Sequence, residues 1–222
     1  MIEKELKYLF SKEDFEKLRR YCRERCAKKK TAALKNYYFD TPRFHLLHAG
    51  IALRLRSSNK RWTLAFKCRI KGKLFNQRRP GVLVSEELEA SLEESDARAL
   101  LSGERKLFSF DISFLRRLET ELEVLHGRKD EVACRGSMAV IREKVLLAPY
   151  TLPLEFDTIT YEKGEQEFEL ESETEQLEMA ESVLSALFRR LDVKAVPSPY
   201  PKIVRLFLLR EKNDSILSKW RE

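Results

Sequence analysis

The feature that most constrains this chain is a series of strand-length segments in which alternate residues carry charges, often of one sign. The first is IEKELKY, residues 2 to 8. On a helix, Glu3 and Lys7 would form an i,i+4 pair on a solvated face. On a strand, Glu3, Glu5 and Lys7 share one face, and Ile2, Leu6 and Tyr8 the other. The next segment bears on the choice. Ser11-Lys12-Glu13-Asp14 resembles a capping box, and Phe15, Leu18, Cys22 and Cys26 follow at three- and four-residue steps, predicting a helix from about 12 to 29. Residues 2 to 10 therefore precede it as a separate short element, and their alternation fits a strand.

The same alternation recurs along the chain. NYYFDTP (36–42) reads as a strand stopping before Pro42. IALRLRS (51–57) sets Ile51, Leu53 and Leu55 against Arg54 and Arg56, and RWTLAFKCRIK (61–71) sets Trp62, Leu64, Phe66, Cys68 and Ile70 against Lys67, Arg69 and Lys71. Ser58-Asn59-Lys60 between them is hairpin-like. In VLVSEELEASL, Val82, Val84 and Leu88 oppose Ser85, Glu87 and Glu89. Further on, Ile141, Val145 and Leu147 oppose Arg142 and Lys144. Leu154 and Phe156 oppose Glu155 and Asp157, and Phe168, Leu170 and Ser172 oppose Glu167, Glu169, Glu171 and Glu173. Helices are expected over 93–102, ended by Gly103, and along Leu115, Leu118, Leu122 and Leu125, closed by Gly127. Thr174 is placed to cap a long helix striped by Leu177, Ala180, Leu184, Leu187 and Leu191. VPSPYP (196–201) breaks it, and Pro201 opens a last helix to about 212.

Eight such strands, many with little helix between them, predict an antiparallel sheet with one apolar face. Two arrangements account for the charged face. Opposite charges on neighbouring strands would pair for stability alone. A sheet closed into a barrel, with its apolar face outward beneath helices, would instead enclose the charges in a lumen. Like charges confined there repel and shift one another's ionisation unless a ligand compensates them. Carboxylates from several strands suit Mg²⁺ or Mn²⁺, hard ions that prefer oxygen, while Arg and Lys suit phosphate oxygens. Divalent metal, many cations and a narrow channel together point to polyphosphate.

Composition is consistent with this. The 43 Lys and Arg exceed the 36 Asp and Glu to give a net charge of +7, which favours an anionic partner, although a mixed solvated surface has the same balance. Residues of hydrophobic type make up 43% of the 222, enough for a substantial core. The sequence contains no run of about eighteen apolar residues and begins with charges where a signal peptide would be apolar, so a soluble, cytoplasmic protein is expected. Cys22, Cys26, Cys68 and Cys134 show no CxxC pairing and are read as reduced and structural. His45, His48 and His126 fall outside the charged strands.

Taken in order, EKELK (3–7, an ExExK pattern), YFDT (38–41), LRLR (53–56), Lys67, Arg142, LEFD (154–157), ELE (169–171) and Lys202 resemble the CYTH superfamily, the triphosphate tunnel metalloenzymes. That superfamily includes thiamine and inorganic triphosphatases, fungal-type RNA triphosphatases and class IV adenylyl cyclases. The resemblance runs nearly end to end. It implies an α+β fold: an eight-stranded antiparallel closed barrel with helices packed outside, formed by a single domain over 1–222. It also implies a triphosphate bound with one or two Mg²⁺ or Mn²⁺ ions. By this resemblance Glu3, Glu5, Glu169 and Glu171, with Asp157, are metal carboxylates. Lys7, Arg54, Arg56, Arg69, Arg142, Lys144 and Lys202 hold phosphate. Lys67 and Tyr38 are the catalytic candidates, the alternative for Tyr38 being a core aromatic, and Glu87 and Glu155 are tunnel carboxylates or structural ion-pair partners. Many members carry a Lys-Ser-Lys-Tyr-like motif where this chain reads PSPYPKIVR, which leaves Lys202 and Arg205 both open as the last cation.

The implied reaction is metal-dependent hydrolysis of a terminal phosphoanhydride. Three other readings stay open: a cyclase making cyclic AMP from ATP, an RNA 5′-triphosphatase, and a non-catalytic polyphosphate-binding module. The basic clusters Lys28 to Lys30 and Lys71 to Arg79 are compatible with RNA, as with a solvated helix end and loop. The compact chain, without an attached histidine-rich helical domain, favours a small-molecule or inorganic triphosphate. Nucleic acid then enters only as a triphosphorylated RNA end. No membrane partner is expected, and the protein is expected as a monomer or homodimer.

Overall fold

The computed structural model describes residues 1–70, 81–198 and 200–211; Lys71 and the basic cluster to Arg79 lie outside the described residues. Strands β1 (Ile2–Phe10), β2 (Cys26–Asp40), β3 (Ile51–Ser58), β4 (Arg61–Arg69), β5 (Val82–Leu92), β6 (Ala133–Leu147), β7 (Leu152–Tyr161) and β8 (Gln166–Glu173) form one sheet. Its order is β5-β4-β3-β2-β6-β7-β8-β1, every pairing is antiparallel, and β5 also pairs with β1. The sheet is thus a closed eight-stranded barrel. Closure satisfies the edge strands and forces alternate side chains into the lumen. Helices α1 (Lys12–Glu24), α2 (His45–His48), α3 (Glu94–Ser102), α4 (Ser113–Val124), α5 (Leu177–Leu191) and α6 (Lys202–Glu211) pack around it.

The outward faces are apolar, as the alternation requires. Leu6, Tyr8, Val145, Leu154, Phe156 and Leu170 pack against Phe15, Leu18 and Cys22 of α1 and Leu184 and Phe188 of α5. Leu53, Leu55, Leu64 and Phe66 pack against Leu100 of α3 and Phe114, Leu115 and Leu118 of α4. α6 is different. Its Ile203, Val204, Leu206 and Phe207 pack against Leu34, Tyr38, Met138, Val140, Ile159 and Tyr161. Those strand residues share parity with Asn36, Arg142 and Asp157, so they are on the lumen face. α6 therefore seats in one end of the barrel. Gly136 on β6 admits it, since a Cβ there would meet Leu206 Cδ2 at 3.1 Å.

Several boundaries differ from the sequence reading. α1 stops at Glu24, not 29, and Cys26 opens β2. Residues 26–33 pair along β6, so long-range strand pairing outweighs local helical periodicity. Lys28–Lys30 are consequently strand residues rather than a helix end. Thr174 does not cap α5; its hydroxyl accepts from Gln176 N at 3.1 Å, and the helix begins at Leu177 with Gln176 as N-cap. The left-handed residue closing α4 is His126, at φ 54°, while Gly127 N donates back to Leu122 O at 2.8 Å. Val196–Pro197, read as a break, forms a short strand β9 on Tyr8 and Leu9 of β1. The Asn59–Lys60 turn has φ values of 47° and 65°, as a tight hairpin demands. Among the described residues no helix is long and apolar enough to cross a membrane.

Candidate functional site

Register decides which charges meet. Lys7 lies opposite Glu171, Glu169 opposite Asp157, Asp157 opposite Arg142, Glu155 opposite Lys144, and Lys67 opposite Glu87. Because strand parity is shared around the barrel, all these side chains point inward. The resulting cavity, about 220 Å³, is lined by Glu3, Glu5, Lys7, Tyr38, Arg54, Arg56, Lys67, Arg69, Glu87, Arg142, Lys144, Glu155, Glu171 and Lys202, among others. Of the residues singled out from sequence, Asp157 and Glu169 alone are absent from that lining. They are fully buried directly behind it.

The charges fall into two linked groups. In the first, Lys67 Nζ is 2.6 Å from Glu3 Oε2, 2.9 Å from Glu5 Oε1 and 3.5 Å from Glu87 Oε2, and Arg54 Nη2 donates to Glu87 Oε1 at 2.8 Å. In the second, Arg142 grips Asp157 in a fork of 2.7 and 2.5 Å, reaches Glu171 Oε2 at 2.6 Å and touches Glu155. Lys202 Nζ lies 3.0 Å from Asp157 Oδ2 and 2.6 Å from Glu171 Oε1, and contacts Glu169. Lys7 joins the groups, 2.6 Å from Glu5 Oε2 and in contact with Glu171.

These neighbours set the ionisation. Burial pushes Glu3 up to about 7, overcoming Lys67. Burial acts the same way on Glu87, but Arg54 and Lys67 outweigh it and hold that carboxyl at about 2. Burial works against charge on Asp157 and Glu171 as well, yet Lys202 and Arg142, with Lys7 for Glu171, keep both below the ordinary carboxylate range. Glu169 is raised by burial, making it the first of those three to take a proton. Burial, then the neighbouring Arg54 and Arg142, lower Arg56 to about 10.

Of the two candidates for the last cation, Lys202 lines the cavity and Arg205 does not. Arg205 is buried beneath, where Nε binds Glu167 Oε2 at 2.8 Å, Nη1 binds Ser198 Oγ at 2.7 Å and Nη2 holds Glu169. It braces a site carboxylate from behind. Asn36, missed in the sequence, is 1% exposed and accepts from Arg56 Nε at 2.8 Å. The missed signal was its shared parity with Tyr38 on a strand paired to Arg54 and Arg56. Tyr38 itself lines the cavity opposite Arg54 while packing against the α6 cluster. His45 and His48 lie in α2 and His126 follows α4, away from the cavity lining, and none of the four cysteines forms a disulfide among the described residues.

A metal site is testable on geometry. Oxygens of Asp157, Glu169 and Glu171 lie within 4.8 Å of one another, all buried. Three hard oxygen donors in one group could hold a hard divalent cation. Glu3 and Glu5, expected in the same set, are instead gathered around Lys67, and Glu5 reaches the triad through Lys7.

Comparison with known proteins agrees with this architecture. The model of the CYTH domain family matches residues 1–196. The structure is similar to that of HpAC1 from Hippeastrum, an adenylyl cyclase candidate with a dominant triphosphatase activity. The TM-score is 0.77 at 22% identity, covering 95% of this chain and 96% of that one. It is also similar to an adenylate cyclase candidate from Bacillus halodurans, with a TM-score of 0.68 at 22% identity and coverage of 91% and 96%. A third, PH1819 from Pyrococcus horikoshii, has a TM-score of 0.52 at 22% identity, covering 95% and 99%. At these identities the likeness concerns the fold. No curated protein matches the sequence.

Proposed function

This chain belongs to the CYTH family, and on that premise we propose that it hydrolyses the terminal phosphoanhydride of a small triphosphate in the barrel lumen, with Mg²⁺ or Mn²⁺ as cofactor. Inorganic tripolyphosphate, thiamine triphosphate and nucleoside triphosphates are the candidate substrates. The observation that carries this reading is the charge balance of the lumen. Eight cationic and seven acidic side chains line it, and Asp157, Glu169 and Arg205 behind the wall bring both to nine. A balanced cavity does not by itself attract a polyanion. It does accept one that arrives with divalent cations, and the Asp157, Glu169 and Glu171 group has the donors to hold such an ion.

On this reading Arg56 is the resting phosphate ligand. It has no carboxylate partner among the described residues, only Asn36. Arg54 adds a buried Nε without a partner among the described residues, and Ser85 on the cavity wall a buried hydroxyl in the same condition. These donors, with Lys7, Arg142 and Lys202, hold the non-reacting phosphates and neutralise charge on the leaving group. Arg69 and Lys144 extend the cationic wall. To Lys67, held between Glu3 and Glu5, we assign stabilisation of the transferred phosphoryl group, and to Tyr38 orientation of the attacking water. A divalent ion held by Asp157, Glu169 and Glu171 would supply Lewis acidity toward phosphate oxygens and lower the pKa of water. We also read α6 as part of the same domain, since it lies beyond residue 196 yet provides Lys202 and fills the barrel end.

The test is incubation with Mg²⁺ or Mn²⁺ and tripolyphosphate, thiamine triphosphate, ATP or triphosphorylated RNA, with products identified by phosphorus NMR. Orthophosphate release is expected, and Glu171→Gln should abolish it while leaving the fold intact. Release of pyrophosphate with cyclic AMP, or full activity in Glu171→Gln, would overturn the proposal.

A further inference from the structure

The two longest strands, β2 and β6, outreach the barrel. β3 pairs with β2 only from Leu34 onward, so residues 26–33 of β2 are paired with β6 alone. At about 3.3 Å per residue this is a lip on the order of 25 Å long at the end of the barrel opposite α6. Its outer face is anchored. Val145 and Leu147 are buried beneath Phe15, Leu18 and Cys22 of α1, and Arg23 Nε binds Glu143 Oε1 at 3.0 Å. Its inner face is open. Register puts Lys28 opposite Leu146, Lys30 opposite Lys144 and Ala32 opposite Arg142, so Lys28 and Lys30 share the face that continues into the lumen.

Lysines on an edge strand commonly block pairing with another chain. That accounts for Lys29, which points outward opposite Val145. It does not account for Lys30 directly across from Lys144, since like charges in that relation destabilise a sheet. Lys144 is compensated by contact with Glu155, whereas Lys28 and Lys30 are exposed and have no ion pair among the described residues. A row of cations running from the open lip toward Arg142 is a track for a chain of phosphates.

We propose that the lip is an outer anion site, in which Lys28 and Lys30 hold the part of a linear inorganic polyphosphate that extends beyond the three phosphates in the lumen. The proposal rests on the hydrolase reading above and narrows its substrate class to phosphate chains longer than three. Inorganic chain is favoured over RNA because lysine offers point charges, and no aromatic residue stands among residues 26–33 to stack a base.

The experiment compares the wild type, Lys28→Gln/Lys30→Gln and the control Lys29→Gln on tripolyphosphate and on long-chain polyphosphate with Mn²⁺. In the double variant KM for the long chain should rise about 25-fold at low salt, from two lost charge contacts of the kind that are worth about fivefold each in water. The slope of log affinity against log salt should fall by about 1.4. Tripolyphosphate kinetics, and Lys29→Gln on both substrates, should be unchanged. Equal loss on both substrates, no loss on either, or a selective loss only with triphosphorylated RNA would overturn the proposal. Direct titration of long-chain polyphosphate without turnover reads the lip separately. A wild type that releases no phosphate but binds the chain through Lys28 and Lys30 would defeat the hydrolase reading alone.

Discussion

Lys202→Met isolates the interaction on which the buried acidic group depends. Lys202 opens α6, its side chain is 11% exposed, and its ammonium faces Asp157, Glu169 and Glu171 together. Methionine keeps much of the stem and removes the charge. Breaking a buried ion pair by deleting one partner costs about 3–5 kcal/mol. Lys7 and Arg142 remain near Glu171, and Arg142 near Asp157, so about 3 kcal/mol is expected in chelator. At roughly 2–4 °C per kcal/mol for a chain of this size, Tm should fall by roughly 6–12 °C. The loss should grow with pH. With Lys202 gone, Glu169 retains a proton more strongly in the folded than in the unfolded chain, and a raised carboxyl pKa stabilises at low pH and ceases to do so as pH climbs through it. Added Mn²⁺ should restore more stability to the variant than to the wild type, because the ion no longer competes with an ammonium. At a hundred times Kd the gain is about 2.7 kcal/mol. Thermal melts with chelator or Mn²⁺ measure both quantities. A variant melting within about 2 °C of wild type in chelator, less than 1 kcal/mol, would refute the claim that Lys202 compensates the triad. Equal Mn²⁺ gains would refute the competition.

Three further outcomes follow from the same geometry. Glu3, raised by burial from 4.5 to about 7, stabilises the metal-free protein fully below pH 4.5 and loses that contribution as pH rises through about 7; Glu3→Gln should flatten that decline in denaturant midpoints. Gly81 has φ +83°, and a Cβ there would approach Lys7 O to 2.8 Å, so Gly81→Ala should cost about 1–3 kcal/mol in chemical denaturation and disturb the strand that presents Lys7. Asn36→Ala removes the bond that orients Arg56. Hydrogen bonds to charged groups are worth about 1.5–3 kcal/mol, so KM for triphosphate should rise at least about tenfold with kcat nearly held, whereas a general folding defect would lower the active fraction without moving KM.

Much of this site is legible before any coordinates. Alternation alone separates Glu3, Glu5 and Lys7 from Leu6 and Tyr8, and strand parity predicts which side chains share a face. Closure into a lumen is less visible, because cross-strand ion pairs write the same pattern, and the structure contains both: the charges are in the lumen, and there they are paired. What the sequence hides is long-range. Cys26 continues the helical rhythm of Phe15, Leu18 and Cys22, but strand pairing to Leu147 overrides it. The fate of α6 is invisible in its own apolar pattern, because Leu34, Met138 and Val140 become an interior plug surface only once the barrel has closed around them. The division of carboxylates between Lys67 and Lys202 depends on side-chain reach across strands far apart in sequence. The assignment of Lys202 to the cavity and Arg205 to its support turns on one helical turn of α6, whose entry is set by a proline-rich segment without regular periodicity.

The most direct measurement is a crystal structure with Mn²⁺ and tripolyphosphate, recorded at the manganese absorption edge. Anomalous density should be bounded by Asp157, Glu169 and Glu171, with the phosphate chain inside the barrel against Arg54, Arg56 and Lys67. Manganese or phosphate found only on the outer surface, with the lumen ion pairs intact, would contradict this placement.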